Sequence, residues 1–197
     1  MKTKLFLLAS GMMFLACAAD AQNVRFGVKA GANFSTVNTN GNDPTWGSRT
    51  GVHAGLLAHI HLNKSWAIQP ELVYSMQGAK MTVAGGQMQT INLNYVNVPI
   101  LVQYMFDNGF RLQTGPQVGF LAAANTKVGT THTSNKEFFN STDFSWAFGA
   151  GYLSNIGLGV DARYNLGLND IYKPGALRET NSVFQLGLFY MFNHKSK

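Results

Sequence analysis

Alternation of apolar and polar residues dominates the chain. In residues 25–34, RFGVKAGANF, one face carries Phe26, Val28, Ala30, Ala32 and Phe34. The other carries Arg25, Gly27, Lys29, Gly31 and Asn33. A period of two marks a strand with one apolar and one polar face. The pattern returns in segments 51–62, 66–77, 91–106, 110–122, 143–153, 157–168 and 182–192, for eight strands in all. Within the fourth, Ile91 and Leu93 have the opposite parity to Val98 and Ile100, which predicts a β-bulge near Tyr95 and Val96. No convincing helix follows residue 21.

The connections alternate strictly between short and long. Residues 63–64, 107–109 and 155–157 are hairpin turns, whereas 35–50, 78–90, 123–142 and 169–181 are long. In an up-and-down meander this places every short turn at one end and every long loop at the other. Outer-membrane barrels have that asymmetry, an even strand number and strands long enough to cross a bilayer at a tilt. The expected fold class is therefore all-β: an eight-stranded antiparallel up-and-down transmembrane β-barrel.

Alternation alone also fits a soluble barrel with an apolar inner cavity. Composition separates the two. Charged residues make up only 12% of the 197-residue chain, against ~25% in ordinary soluble domains. The strand charges Arg25, Lys29, Glu71, Arg111, Asp161 and Arg163 all lie on the polar face. A membrane barrel must keep charge off its lipid side; a soluble barrel would show many more charges on its wet side. Gly27, Gly31, Gly51, Gly55, Gly115, Gly119, Gly149, Gly151, Gly159, Gly167 and Gly187 share that polar face, as a narrow, side-chain-filled lumen requires. Most aromatics lie on the apolar face near strand ends. Phe26, Trp66, Tyr104, Phe106, Phe110, Tyr152, Tyr190 and Phe192 fall toward the short turns; Phe34, Tyr74, Phe120, Phe144, Tyr164 and Phe184 fall toward the loops. Two such bands read as interfacial girdles.

Residues 1–21 read as a cleaved signal peptide: Lys2 and Lys4, an apolar run over 5–19, then Ala19-Asp20-Ala21. The lone cysteine, Cys17, lies within it; a lipoprotein reading of FLAC would instead retain and lipidate it. Residues 22–197 then form one barrel domain with 13 basic and 8 acidic residues. The basic residues are scattered, which argues against nucleic acid as a partner.

FGVKAGANFS, PELVYSMQGAK, NYVNVPILVQY, TGPQVGFLAA, GAGY and the ending FQLGLFYMF, in this order over about 24–192, resemble the PorT-like outer-membrane β-barrel family. The resemblance implies bacterial outer-membrane localisation, insertion by the barrel-assembly machinery and an accessory link to protein secretion. One departure is that NHKSK follows Phe192, where such barrels often stop.

The polar residues give several candidate chemistries. Arg25, Lys29, His53, His59, His61, Glu71, Arg111, Asp161 and Arg163 are expected to form a structural lumen network of ion pairs and hydrogen bonds. A narrow pore is the alternative role for the same residues. The three histidines lack the Cys or nearby carboxylates that a zinc site uses, so neither metal nor cofactor is expected. Ser75, His53 and Glu71 are the residues a lipid-modifying enzyme would use, but no nucleophile motif surrounds them. Phe138 and Phe139, in the longest loop, either anchor an envelope or secretion partner or fold over the barrel mouth. The expectation is a monomeric, non-enzymatic barrel in contact with outer-membrane lipids, presenting four loops.

Overall fold

The structure is a computed structural model and describes residues 24–39, 47–82, 86–129, 131–173 and 179–192. The signal segment 1–21 and the NHKSK tail lie outside the described residues. The strands are β1 (Val24–Thr39), β2 (Gly47–His61), β3 (Trp66–Thr82), β4 (Met88–Met105), β5 (Phe110–Val128), β6 (Thr131–Ser134), β7 (Thr142–Leu153), β8 (Leu158–Gly167) and β9 (Glu179–Met191). Eight of them close a barrel in the order β1-β2-β3-β4-β5-β7-β8-β9, with β9 returning to β1. All pairings are antiparallel. The short β6 lies outside the ring and pairs only with the loop end of β5.

Local chemistry sets the short turns. Asn63 Oδ1 accepts from the backbone N–H of Ser65 at 2.9 Å and of Trp66 at 2.8 Å, capping the β2–β3 turn. The β4–β5 and β7–β8 turns use Gly109 (φ +88°) and Gly157 (φ +86°), in the left-handed region that a side chain disfavours.

The oily face is outside. Phe148, Leu158 and Leu186 are 52%, 45% and 45% exposed, whereas Arg163 and Arg111 are 2% and 3% exposed. Aromatic rings touch around the turn-end rim in the series Trp66–Tyr104–Phe106–Phe110, at centroid separations of 5.0, 4.9 and 5.6 Å. Phe34 and Phe184 pack at the loop end. No described helix is long and apolar enough to cross a membrane; the crossing is made by strands, which satisfy each other's backbone groups around a closed ring.

Two expectations change. The strands extend beyond the predicted ends, so much of the long connections is regular ladder: β1 runs on to Thr39, β2 starts at Gly47, β3 ends at Thr82 and β5 reaches Val128. The bulge falls at the expected level, beside Tyr95, but its extra residue is on β5. Pairing jumps from Asn94↔Ala123 to Tyr95↔Leu121, which leaves Ala122 of β5 without a partner on β4. β4 keeps its parity, and Ile91, Leu93, Tyr95, Asn97, Leu101 and Gln103 all point inward. Ile91 and Leu93 fit there because the lumen at that level is apolar.

The glycines serve two purposes. At Gly51, Gly55 and Gly115 a Cβ would collide first with the carbonyl oxygen of the neighbouring strand, so their absence of a side chain permits tight coiling. At Gly159 the obstacle is the ring of Phe189, which lies flat across the backbone.

Candidate functional site

The lumen has three layers. At the turn end Leu57, Leu153, Phe189 and Met191 form a buried apolar cluster. At the loop end Val37, Ala79, Ile91, Leu93, Tyr95, Leu121 and Ala124 pack with Phe139 and Ile171, which enter from the loops. Polar side chains fill the space between.

Four of the predicted residues form one ionic cluster. Arg163 donates from Nη1 to Glu71 Oε2 at 2.9 Å and from Nη2 to Glu71 Oε1 at 2.8 Å. Lys29 Nζ lies 3.0 Å from Asp161 Oδ2 and 3.4 Å from Glu71 Oε2. Arg163 Nη2 reaches Asp161 Oδ2 at 3.4 Å. Two cations meet two carboxylates, so each charge loses water but gains two opposite neighbours. Gln69 Nε2 adds a 2.8 Å bond to Glu71 Oε1.

The other predicted residues surround this cluster. His53 Nδ1 lies 2.8 Å from Asn33 Oδ1, which also accepts from Gln185 Nε2 at 2.9 Å. His53 Nδ1 therefore carries the proton in the neutral ring. His59 Nδ1 meets Gln69 Oε1 at 3.2 Å, and its ring contacts His61 edge-on at 4.5 Å. Arg111 reaches Gln103 Oε1 at 3.4 Å and stacks 5.2 Å from the Phe189 ring centroid. That contact offsets part of its burial. Arg25 and His61 are half-buried at the turn end. Among the described residues no group of three His, Cys, Asp or Glu is arranged to hold a metal.

Sequence reasoning missed several interior residues. The pattern puts Arg49 in a long connection and Asp143 at the first residue of a strand, at a loop edge, yet they are 9% and 6% exposed inside the barrel. Arg49 Nη1 donates to Gln77 O at 2.5 Å. Asn33 is a hub: its Nδ2 donates to Ser75 Oγ at 2.9 Å and to Met76 O at 2.9 Å. Ser75 Oγ also accepts from Gln77 Nε2 at 2.8 Å. His53 and Ser75 are register partners, but Ser75 Oγ bonds Asn33 and Gln77, and Glu71 is held by the two cations. No Ser–His–carboxylate relay is assembled among them.

The loops cover the mouth as a laced lid. Asn140 Nδ2 donates to Asp170 O and Tyr172 O at 2.8 and 2.7 Å, and Asn140 N donates to Ile171 O at 2.8 Å. Lys173 N donates to Phe138 O at 3.0 Å. Phe139 is 1% exposed beneath this lacing, against Tyr172, while Phe138 is 60% exposed. Burial, with Glu179 nearby, pushes the Tyr172 phenol above its ordinary range. A cavity of about 550 Å³ lies on the outer wall, not in the lumen's polar centre; Ala30, Ala150, Ala162, Leu186 and Leu188 contribute to its lining.

A closed eight-stranded ring with an apolar exterior, aromatic rims and a filled ionic interior is a β-barrel membrane protein of the bacterial outer membrane. The outer membrane protein beta-barrel domain family matches residues 20–173, and the chain belongs to that family. Among solved structures, neisserial surface protein A (NspA) is similar at 16% identity and TM-score 0.56, covering 85% of this chain and 97% of its own. Ail, the attachment invasion locus protein of Yersinia pestis, in complex with the heparin analogue sucrose octasulfate, is similar at 14% identity and TM-score 0.51, covering 86% of this chain and 99% of its own. These likenesses concern the fold. Curated proteins gave no match.

Proposed function

We propose that this barrel is a non-enzymatic scaffold of the PorT-like kind, which holds its external loops at the cell surface for an envelope partner and acts as an accessory to protein secretion. The carrying observation is the sealed interior. Apolar clusters close both ends, and the Lys29–Glu71–Asp161–Arg163 cluster fills the middle. An eight-stranded lumen is just wide enough for its own side chains, which disfavours transport. The separate engagements of Ser75 and Glu71 disfavour hydrolysis. What remains for recognition is the outer surface, and there Phe138 is the exposed aromatic of the predicted loop pair. We assign it, rather than Phe139, as the partner anchor.

Planar-bilayer recording tests the sealed lumen: purified barrel should give no unitary conductance, and stable open levels would restore the pore reading. Cross-linking from a photoreactive residue at position 138 in intact envelopes should trap a defined protein. The same label at Lys64, on a turn at the opposite end, should not. Identical adducts from both sites would remove the loop-scaffold reading.

A further inference from the structure

Polar groups from three strands of the loop-end lumen converge on one bare stretch of backbone. Register sets Asn97 of β4, Gly119 of β5 and Asp143 of β7 in a single inward row. A Cβ built on Gly119 would lie 2.6 Å from Asn97 Oδ1, 3.3 Å from Cδ1 of the Tyr95 ring and 3.6 Å from Asp143 Cβ. The missing side chain therefore leaves a space that these three residues border. Asn181 of β9 comes in from the other side, its backbone packed on Gly167 and its amide against the Asp143 carboxylate. Asp143 is 6% exposed and Tyr95, Asn97 and Asn181 are 2% exposed or less. Each carries an atom without a hydrogen-bond partner among the described residues: Asp143 Oδ1, Tyr95 Oη, Asn97 Nδ2 and Asn181 Oδ1.

The space is rich in acceptor oxygens. Asn97 turns Oδ1 toward Gly119, and no hydrogen bond of its NH2 group dictates that orientation. Asn181 gives Nδ2 to Gln77 Oε1 and keeps Oδ1 free. Charge points the same way. The four described ion pairs all belong to the Lys29–Glu71–Asp161–Arg163 cluster, which is balanced in itself. Arg49, buried in the same half of the lumen, donates to Gln77 O and forms no described ion pair with Asp143. A buried negative charge among unmatched oxygens suits a hard cation. One carboxylate balances one positive charge. A divalent ion would strand a charge beside the apolar cluster of Leu93, Leu121 and Phe139, so the fitting ion is monovalent.

We propose that the space over Gly119 is a sodium-ion site. Asp143 is its charged ligand, and Asn97 Oδ1, Asn181 Oδ1 and Tyr95 Oη are its neutral ones. The ion ties β4, β7 and β9 together beneath the lid that holds Phe139. With one charged ligand the site is weak, so at low salt Asp143 stands uncompensated.

The test uses the full mature barrel refolded into phosphatidylcholine vesicles. Urea unfolding is followed in sodium chloride and in choline chloride at equal ionic strength, so that screening is the same in both. The folded-to-unfolded ratio of the wild type should rise about tenfold when sodium reaches about ten times its dissociation constant, and then level toward the logarithmic limit of single-site binding. Choline should give no such rise. Asp143→Asn keeps the shape of the site; in choline it should be more stable than the wild type, and it should show no sodium-specific gain. Asp107→Asn, on the exposed β4–β5 turn, should respond to sodium as the wild type does. Heat-modifiable migration on gels reports that each variant is folded. Sodium-23 resonance supplies a second reading: the wild-type barrel in detergent should broaden the line more than Asp143→Asn does. Equal wild-type stability in the two salts, a sodium-specific gain retained by Asp143→Asn, or equal line broadening by the two proteins would each overturn the site.

Discussion

Arg163 grips Glu71 at two points, with Nη–Oε distances of 2.9 and 2.8 Å, and neither side chain is more than 1% exposed. The residues are 92 positions apart in sequence and reach each other across the lumen. A pair this deep gives little net stability over an apolar substitute, but breaking it leaves a charge stranded. Glu71→Gln strips two cations of a shared partner and should cost about 3–5 kcal/mol. Arg163→Met should cost a similar amount. The double variant leaves Lys29 paired with Asp161 at 3.0 Å, so it should be clearly more stable than the sum of the two losses requires. Urea unfolding from lipid vesicles, followed by tryptophan fluorescence, measures this cycle. Additive losses would mean that the two groups are not energetically coupled.

Gly159 carries the ring of Phe189 flat on its backbone, and that ring in turn faces Arg111 at 5.2 Å. Gly159→Val inserts carbon where the ring lies and should destabilise the barrel by about 1–3 kcal/mol. Adding Phe189→Ala relieves the collision and should restore part of the loss, although it also removes the cation–π partner. Folded yield after refolding into detergent, read as heat-modifiable migration, distinguishes the variants. No recovery in the double variant would show that the glycine acts through backbone coiling alone.

Phe138 and Phe139 are adjacent but physically unlike. Phe139 is buried in the loop-end cluster, so Phe139→Ala should cost about 3–5 kcal/mol. The loss should loosen the lid and expose residues 135–141 to protease. Phe138→Ala removes an exposed ring and should change stability by no more than about 0.5 kcal/mol. Limited proteolysis of vesicle-embedded protein separates the two; equal sensitivity would contradict the lid geometry.

The outward half of the fold was legible because lipid imposes a single rule on it: every second residue must be apolar. The inward parity of Lys29, Glu71, Asp161 and Arg163 was legible for the same reason. Which of them pair was not, since Lys29 and Asp161 meet only when β9 closes onto β1, across 132 residues. The parity assigned to the loop-end half of β4 was wrong for a physical reason. Ile91 and Leu93 look like lipid-facing residues, but the loop-end lumen is itself apolar, so hydrophobicity there no longer distinguishes inside from outside. Arg49 was missed because β2 outruns its oily segment, and above the girdle alternation fades while pairing continues; Asp143 begins its strand at the loop edge, where a charge reads as solvent-facing. Asn33 stood in plain view on the polar face, yet an amide carries no sign of how many partners it will find.

Asp143 stands apart from the ionic cluster. It is 6% exposed; its Oδ1 has no hydrogen-bond partner and no described ion pair includes it. It shares a row with Gly119 and Asn97, and a Cβ on Gly119 would fall 3.6 Å from Asp143 Cβ and 2.6 Å from Asn97 Oδ1. A buried carboxylate with incomplete partners is a cost that a neutral isostere avoids. Asp143→Asn keeps the shape, removes the charge and supplies N–H donors beside Asn97 Oδ1. It should therefore stabilise the barrel at neutral pH, by about 1–3 kcal/mol, in contrast to Asp161→Asn, which breaks the contact with Lys29 and should destabilise. Parallel urea titrations of the two variants test a sign as well as a size. If Asp143→Asn destabilises as Asp161→Asn does, then Asp143 is held by a counter-charge, and the loop-end lumen is electrostatically closed in the same way as the centre.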